Sequence, residues 1–467
     1  MRLRAFPGLA VLGILLLLLA SCASSDAGDS AVLATNSAGS NGAGSNDTGG
    51  DGVDSDRVDS DRVDSDRVDS DRVDSADAAA ESSTPTVVAS ADEVTSVAPA
   101  VTTTTTAAPT TTTSTTTTTL APTAEECASA VPLEMRVGQL MFPLVTQAQL
   151  PEAANLAERG LIGGVVVIGN PTAAIQSEIQ TLQQRSLLGP VIVAVDEEGG
   201  SVQRLAALTS TLPSASAVAA GQTLDEAREL ARAHAVDIGE LGFTMNLAPV
   251  VDLDNGGFLG SRTFGSDPNL VTDFAFATAD GIIDAGLTPV VKHFPGHGRG
   301  TDSHTGLPTL PELDVLRGDD LVPFVRAAER ADLPIMIGHL VVPDLTNGKP
   351  ATLSPEAIDG LLRTELGFDG LVITDAFNMA AIAATTNNAD AAEQSIMAGV
   401  DLVMLGGLIA VEDTVAQVTA AVEAGTISED RINESFLRVI DTRELQMCAF
   451  PEDIRPSIGC DASSAGC

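Results

Sequence analysis

The chain has 467 residues, and its 64 acidic side chains outweigh 24 basic ones to give a formal net charge of −40. A balance this acidic excludes a groove built to neutralise nucleic-acid phosphates, and it argues against docking on an anionic membrane through a basic patch. The chain contains no Trp, no Tyr and only 13 Phe, which favours a small polar pocket over an extended platform of stacking aromatic rings.

Residues 1–21 have the pattern of a bacterial export signal. Arg2 and Arg4 precede an apolar run over residues 11–20, which is shorter than the roughly 20 residues that a membrane-spanning helix needs. The following Leu19-Ala20-Ser21-Cys22 resembles the lipobox, in which the cysteine receives a lipid. We therefore predict an exported protein that a lipid on Cys22 anchors to the cell membrane, facing the cell wall. A plain signal peptide with a chance cysteine and a single membrane anchor are the alternatives.

Residues 22–126 are predicted to form a disordered, low-complexity stalk. Ser, Gly, Asp, Ala and Thr dominate this stretch, and no apolar periodicity survives in it. The pentapeptide Val-Asp-Ser-Asp-Arg repeats over residues 53–72, and Thr fills most of positions 102–119. A calcium-binding array is the alternative for the Asp-rich repeat, but the Gly turns and bidentate Glu of such loops are missing. We expect a solvated spacer that O-glycosylation of the Thr run would stiffen.

From about residue 131 to 447, short apolar runs alternate with stretches of helical periodicity such as 224–241 and 390–398. The apolar runs predict strands over residues 138–144, 164–168, 191–195, 244–251, 289–293, 334–339, 371–374 and 400–405. Strands that alternate with helices in this way favour a single (β/α)8 TIM barrel of the α/β class over an open doubly wound sheet. We place this catalytic domain at residues 127–450 and a Cys-containing tail at 451–467.

Polar residues follow several of these strands, namely Asp196, Asp252, the Lys292-His293 pair, His339 and Asp375. Each of them alone could be a strand-end cap or a turn residue. In a barrel, however, the C-terminal strand ends converge on one face, where the active site forms. Together the residues therefore predict a site on that face.

Three of the five His residues fall within residues 292–304. A metal cluster is one interpretation, but Lys292 adds a positive charge beside His293 and no helical His-x-x-x-His spacing is present. Acid/base chemistry is the second: in Asp302-x-His304 the carboxylate can fix the imidazole tautomer and leave the other nitrogen free to transfer a proton. Asp375, at the end of a buried strand, is a candidate nucleophile at an oxocarbenium-like centre. We predict no metal.

Four cysteines remain beyond Cys22, which is an even number for an exported protein and predicts two disulfides. They are Cys127, Cys448, Cys460 and Cys467. Three pairings are possible, and we favour Cys127 with one of the C-terminal cysteines. These positions flank the globular region, and the two ends of a closed barrel lie close together.

The polar segments resemble glycoside hydrolase family 3, in its β-N-acetylglucosaminidase branch. The resemblance lies in Lys292-His293-Phe294-Pro295-Gly296-His297-Gly298 followed by Asp302-Ser303-His304, in Asp196-Glu197-Glu198-Gly199-Gly200-Ser201-Val202-Gln203-Arg204, in residues 246–252 with 261–265, and in Thr374-Asp375-Ala376-Phe377-Asn378-Met379. It covers essentially all of residues 131–447, and motifs of this length are very specific.

The resemblance implies a retaining glycosidase that removes terminal β-linked N-acetylglucosamine and needs no metal or organic cofactor. It implies Asp375 as the nucleophile and His304, assisted by Asp302, as the acid/base. The residues it implies for holding the sugar are Asp196, Arg204, Arg262, Lys292 and His293.

The leading hypothesis is a monomeric, lipid-anchored exo-β-N-acetylglucosaminidase acting on peptidoglycan-derived, N-acetylglucosamine-containing glycans of the cell wall. One alternative is a related family 3 β-glycosidase of other sugar specificity, or a phosphorylase, since a neutral His acid/base tolerates an incoming phosphate better than a carboxylate does. The other is a non-catalytic wall-binding lipoprotein. Against it, Asp302, His304 and Asp375 are all present.

Overall fold

The computed structural model describes residues 122–449. The predicted signal segment, the stalk up to residue 121 and the tail over 451–467 lie outside the described residues, together with Cys22, Cys460 and Cys467. Between residues 122 and 449, none of the helices combines the length and the apolar character needed to cross a bilayer. The chain is α/β, and helices separate most of its parallel strands in sequence.

The strands are, in chain order, β1 (Leu144–Thr146), β2 (Gly164–Ile168), β3 (Ile192–Val195), β4 (Glu197–Gly199), β5 (Val202–Gln203), β6 (Met245–Asn246), β7 (Thr288–Pro289), β8 (Val291–Phe294), β9 (Ile335–Ile337) and β10 (Val372–Thr374). The α-helices are α1 (Ala124–Ser129), α2 (Leu133–Gly138), α3 (Leu150–Glu158), α4 (Ile175–Arg185), α5 (Ala215–Gly221), α6 (Leu224–Glu240), α7 (Pro268–Asp284), α8 (Leu313–Gly318), α9 (Val322–Ala328), α10 (Pro343–Thr346), α11 (Ala380–Ala383), α12 (Asn388–Met397), α13 (Val411–Glu423) and α14 (Glu429–Thr442). A π-helical segment, Glu356–Glu365, precedes β10.

The strand pairing is parallel apart from one hairpin. One sheet has the order β1-β2-β3-β6-β7 and a second has the order β10-β9-β8, while β4 and β5 pair antiparallel. A parallel bridge between Val250 and Lys292 connects the residues after β6 to β8. Leu402 bridges to Ile373 of β10, and the adjacent Val403 bridges to Met141. Parallel contacts therefore continue from the second sheet back to the residues just before β1.

The first and last predicted strands differ from the structure. Residues 138–144 were predicted as a strand, but Gly138 ends α2 and β1 begins only at Leu144. From Leu140 onward, however, the backbone is extended: the N–H groups of Phe142 and Leu144 donate to the carbonyls of Val403 and Leu405. Within 400–405, bridges form at residues 402 and 403, and the N–H groups of Val403 and Leu405 donate to the carbonyls of Leu140 and Phe142.

Local sequence explains where the long helices α6 and α7 begin. Thr223 caps α6 in a reciprocal pair with Glu226, and Asp267 caps α7 by accepting from the backbone N–H of Asn269 and Leu270. The two helices pack closely at Gly281, where a Cβ atom would lie 2.2 Å from the Arg228 carbonyl oxygen. The absence of a side chain at this position lets α6 and α7 touch.

The core has two apolar clusters, one on each face of the parallel strands. Val165 and Val167 of β2 belong to the cluster that includes the helices. Val166, between them, belongs to a second cluster with Met245, Val290, Met336, Ile373 and Met404. Because successive strand residues point to opposite faces, the near-continuous apolar runs of the sequence serve both clusters.

A buried ionic group connects the last parallel segment to its helices. The Asp401 carboxylate is fully buried and pairs with Arg363, Arg431 and Arg438. Burial raises the pKa of Asp401, but the three guanidinium groups outweigh that effect and lower it below the usual range. Asp401 also accepts from the Val372 backbone N–H, so the same carboxylate connects β10, the π-helical segment and α14.

A disulfide joins the two ends of the described body. Cys127 in α1 bonds to Cys448 beyond α14, across a sequence separation of 321 residues. This confirms the predicted pairing of Cys127 with a C-terminal cysteine. The N-terminal helix α1 contacts α14, so the bond connects elements that already pack together.

Replacing both cysteines, as Cys127→Ala with Cys448→Ala, is expected to lower the free energy of unfolding by roughly 2–4 kcal/mol, because the bond restricts the unfolded chain. Urea unfolding of both proteins without reductant measures this difference. With excess dithiothreitol the two proteins should unfold at the same urea concentration. Equal stability without reductant would contradict the expectation.

Candidate active site

An open cavity of about 1170 Å³, counting the solvent-filled space at its mouth, lies at the C-terminal ends of the parallel strands. Most of the predicted site residues line it: Asp196, Arg204, Arg262, Lys292, His293, His304 and Asp375. Asp302 does not line the cavity itself but bonds to His304. The structure therefore brings the predicted residues together from several separate strand ends, as the barrel hypothesis required.

The segment after β8 is held from behind by Asp252. This carboxylate has no solvent exposure and accepts from His293 Nδ1 at 2.7 Å, from the His293 backbone N–H, and from the His297 backbone N–H at 2.6 Å. Burial raises the pKa of Asp252, but His293 more than offsets this and the pKa lies below the usual range. Asp252 thus supports the site without lining the cavity.

Four charged side chains form one connected part of the cavity wall. Lys292 Nζ lies 2.7 Å from Asp196 Oδ1 and 2.7 Å from Glu198 Oε1. Arg262 donates to Glu198 twice, from Nε at 2.7 Å and from Nη2 at 2.9 Å. Burial raises the pKa of Glu198, but the neighbouring Lys292 and Arg262 outweigh that effect and lower it to about 2. Glu198 is therefore ionised at neutral pH, and despite burial the carboxylates raise the pKa of Lys292 and Arg262, which stay cationic.

Two exposed side chains complete this side of the cavity. Arg204 follows the β4–β5 hairpin and forms no salt bridge with any residue in the described range. Phe258 is 39% exposed, and its ring meets the His297 ring edge-on with 4.9 Å between centroids. The cavity therefore offers one unpaired guanidinium and one aromatic ring to a ligand.

Asp302 and His304 form the predicted pair on an exposed loop. Asp302 Oδ1 lies 2.9 Å from His304 Nδ1 and also accepts from the His304 backbone N–H at 2.9 Å. Burial raises the pKa of Asp302, but these hydrogen bonds outweigh it and the pKa is lowered. An ionised Asp302 keeps the proton on Nδ1 and leaves Nε2 of His304 free to exchange a proton. The His304 side chain is 66% exposed.

Ser303, between these two exposed residues, is buried and attaches the loop to the body. Its hydroxyl lies 3.3 Å from His297 Nε2, and its carbonyl accepts from the Ala381 backbone N–H at 3.1 Å. His297 is itself buried, and desolvation together with the neighbouring His293 lowers its pKa to about 4. A neutral imidazole therefore holds the centre of the Asp302–His304 loop.

Asp375 follows β10 directly and lines the cavity. Its Oδ1 accepts from the Ala376 backbone N–H at 2.8 Å. Burial raises the pKa of Asp375, but His293, the Ala376 backbone N–H and Lys292 outweigh that effect and bring it below the usual range, so the carboxylate is ionised. One oxygen is held by the backbone, and the other has no hydrogen-bond partner within residues 122–449.

His339 lies behind Asp375 and does not line the cavity. Its Nε2 donates to the Ala376 carbonyl at 3.0 Å, and its Nδ1 accepts from the Thr352 hydroxyl at 2.9 Å. Burial lowers the pKa of His339, which keeps the ring neutral. This strand-end residue, like Asp252, orients a neighbour of the site from behind.

Glu198, His297 and Ser303 belong to the site but were not among the predicted site residues. Glu198 could have been found by strand periodicity, because it stands two residues after Asp196 and so shares its face, while Glu197 points away to His234. Ser303 gives no such signal. Across residues 122–449, no cluster of three or more His, Cys, Asp or Glu could hold a metal ion.

The model of the glycosyl hydrolase family 3 N terminal domain matches residues 132–442. Beta-hexosaminidase LpqI of Mycobacterium tuberculosis is 42% identical over 261 residues, covering 54% of this chain and 67% of that protein. The solved structure of M. tuberculosis LpqI, at 36% identity, has a TM-score of 0.65 and covers 70% of this chain and 98% of its own. A family 3 beta-N-acetylglucosaminidase from Paenibacillus sp., at 33% identity, has a TM-score of 0.64, covering 67% of this chain and 62% of its own.

We expect His297 to make the fold sensitive to acid. Between pH 6.5 and about 4 the unfolded chain binds a proton at this residue that the folded chain does not, so stability falls as the pH is lowered through this range. The pKa difference corresponds to a loss of about 3 kcal/mol. His297→Gln, which cannot titrate, should lack this part of the pH dependence.

Urea unfolding of both proteins at several pH values measures the effect. Above about pH 7.5 the difference in unfolding free energy between them should be constant, because His297 is then neutral in both the folded and the unfolded state. A parallel decline of the two proteins down to pH 4 would show that His297 is not responsible.

Proposed function

The chain belongs to glycoside hydrolase family 3, and we propose that it is a retaining exo-β-N-acetylglucosaminidase with Asp375 as nucleophile and His304 as acid/base. The observation that supports this most is that an ionised carboxylate and a carboxylate-oriented imidazole line one cavity, beside charged groups suited to a sugar. The beta-hexosaminidase and beta-N-acetylglucosaminidase relatives support the sugar preference.

In the first step the free oxygen of Asp375 attacks the anomeric carbon of the terminal sugar. The bond from that carbon to the glycosidic oxygen breaks, and His304 Nε2 gives its proton to the departing oxygen. A covalent glycosyl-enzyme results, with Asp302 compensating the positive charge that His304 carries before the transfer. In the second step His304 takes a proton from water, the water oxygen bonds to the anomeric carbon, and Asp375 leaves as a carboxylate.

Recognition of the sugar falls to the groups that the protein leaves free. His293 Nε2, one oxygen of Asp196 and the Arg204 guanidinium face the cavity, and no partner within the described part of the chain uses them. These groups can donate to and accept from sugar hydroxyls and the N-acetyl group. A pocket with this many polar groups for a single sugar suits removal of one terminal sugar unit from a glycan.

The complete catalytic domain is proposed to be a single (β/α)8 barrel. The parallel contacts that pass from β1 through β10 and return through residues 402 and 403 to Met141 support closure. In one closed sheet, Lys292 and Asp375 both stand near the C-terminal ends of their strands. This accounts for the convergence of the two side chains on the cavity.

The enzyme is proposed to be exported and anchored through a lipid on Cys22, to work as a monomer, and to act on peptidoglycan-derived glycans. The Cys127–Cys448 disulfide supports an oxidising compartment outside the cytoplasm. The acidic stalk over residues 22–126 would then separate the catalytic domain from the membrane.

Asp375→Ala is expected to lower kcat/KM on an aryl β-N-acetylglucosaminide by roughly 10³-fold or more, because no covalent intermediate can form. Added azide should yield the α-glycosyl azide from this variant, since azide enters the space of the missing carboxylate. The exposed Asp413→Ala serves as the control and should retain full activity.

The same assay separates the alternatives. We expect no turnover of the matched β-glucoside, and no sugar phosphate when inorganic phosphate is added. Turnover of the glucoside would indicate another sugar specificity, and a sugar phosphate product would indicate phosphorolysis. Equal slow rates for the wild type and Asp375→Ala, or none, would favour a wall-binding protein.

Ser303→Ala is expected to lower kcat about five- to tenfold while KM changes little, because loss of one hydrogen bond loosens the loop that positions His304. The effect should be larger for a sugar leaving group than for a nitrophenolate, which needs less protonation. Thr301→Ala, on the same loop and exposed, is the control. A Ser303→Ala enzyme that matches the wild type on both substrates would contradict the anchoring role.

A further inference from the structure

Glu198 lines the cavity, but its own oxygens are already occupied by the protein. Its side chain is 4% exposed, and its carboxylate accepts two hydrogen bonds from Arg262 and lies 2.7 Å from Lys292 Nζ. A carboxylate accepts about four hydrogen bonds at most, so it has little capacity left for a substrate hydroxyl. Its contribution must therefore pass through Lys292 and Arg262.

The pairs with Glu198 determine which N–H groups remain for a ligand. An ammonium group has three N–H donors, and Lys292 uses two of them on Asp196 and Glu198. Arg262 spends Nε and Nη2 on Glu198, and its Nη1 has no acceptor in the described part of the chain. One Lys292 N–H, both Nη1 N–H groups and the second Nη2 N–H of Arg262 are thus left, beside the second oxygen of Asp196.

The charges of this group sum to zero only because of Glu198. Lys292 and Arg262 contribute two positive charges, and Asp196 and Glu198 contribute two negative ones. Without the Glu198 charge the two cations would repel each other. Solvent would screen this repulsion poorly, because the Lys292 side chain is only 3% exposed. Glu198 therefore fixes both the direction and the separation of the two cations.

The β4–β5 hairpin fixes the direction of Glu198 itself. The preceding Glu197 points to the opposite side, where it bonds to His234 at 2.9 Å. The following Gly199 has φ +93°, and a Cβ atom there would lie 2.3 Å from the Pro213 carbonyl oxygen. The hairpin can therefore pack against residue 213 only with glycine at this position.

We propose that Glu198 is a positioning residue for sugar recognition, which aims Lys292 and Arg262 at neighbouring ring hydroxyls of the terminal pyranose. The remaining donors of these cations and the free oxygen of Asp196 form the donor and acceptor set that adjacent hydroxyls require, since each hydroxyl both donates and accepts. The proposal rests on the function proposed above and deepens it.

The test is Glu198→Gln in the full chain, assayed on an aryl β-N-acetylglucosaminide and on analogues that lack one ring hydroxyl each, at C3, C4 or C6. On the parent substrate kcat/KM should fall about 10- to 100-fold, as for loss of a charged hydrogen bond. On the analogue without the hydroxyl that the cations bind, the variant should be within about twofold of the wild type, because the contact is already absent.

Glu197→Gln is the matched control. It makes the same Glu-to-Gln change at the adjacent residue, whose side chain is also buried and which does not contact Lys292 or Arg262. We expect Glu197→Gln to lower the free energy of unfolding. Its kcat/KM should differ from that of the wild type by the same factor on every substrate. Glu198→Asp, which keeps the charge but withdraws it by one methylene, repeats the test if Glu198→Gln does not fold.

An equal loss on the parent and on all deoxy analogues would overturn the positioning role while leaving the proposed function intact. Failure of the wild type to turn over any aryl β-N-acetylglucosaminide would overturn both. The proposal is supported if Glu198→Gln lowers kcat/KM on the parent substrate but not on the analogues that lack one hydroxyl or two neighbouring ones. Those analogues then identify the hydroxyls that the cations bind.

Discussion

The Asp252 carboxylate, which solvent does not reach, accepts hydrogen bonds from the His293 side chain and from the backbone of His293 and His297. These bonds fix the segment from Lys292 to His297, and both sides of the cavity are built outward from that segment. On one side Lys292 meets Asp196 and Glu198, and on the other His297 meets the loop at Ser303. Gly298 lets this segment lie against Leu253, because a Cβ atom there would lie 1.9 Å from the Leu253 carbonyl oxygen.

The two sides of the cavity differ in how they are stabilised. The side proposed for sugar recognition consists of paired charges that neutralise one another, so its geometry is fixed before a ligand arrives and the cost of orienting it is met on folding. The side that carries the proposed acid/base is an exposed loop held mainly at one buried serine. Protonation of a departing group and later activation of water place different demands on the same imidazole. A lightly attached loop suits such a residue, whereas the proposed nucleophile and sugar contacts need a rigid frame.

The sequence predicted most of the cavity because its residues directly follow apolar strands, and parallel strands bring their ends together whatever the details of packing. Asp196, Lys292, His293 and Asp375 were found in this way. The same rule also placed Asp252 and His339 on the cavity wall, but both lie behind it and support neighbouring residues. The rule fails here because a strand-end position does not fix which way a side chain points. Ser303 was missed because only tertiary contacts with His297 and Ala381 give it a role. The first strand was predicted to begin at Gly138, but that residue still belongs to α2, because an apolar run alone does not mark where a helix ends and a strand begins.

The disulfide between Cys127 and Cys448 makes the described body a covalent ring. A single cleavage of the backbone within an exposed loop of that ring opens it but releases no fragment, because the two pieces remain joined through sulfur. For a protein expected to work outside the cell, where proteases attack loops first, one nick therefore leaves every strand and its side chains attached to the rest. Two cuts, or one cut together with reduction, are needed before any part of the cavity wall can diffuse away.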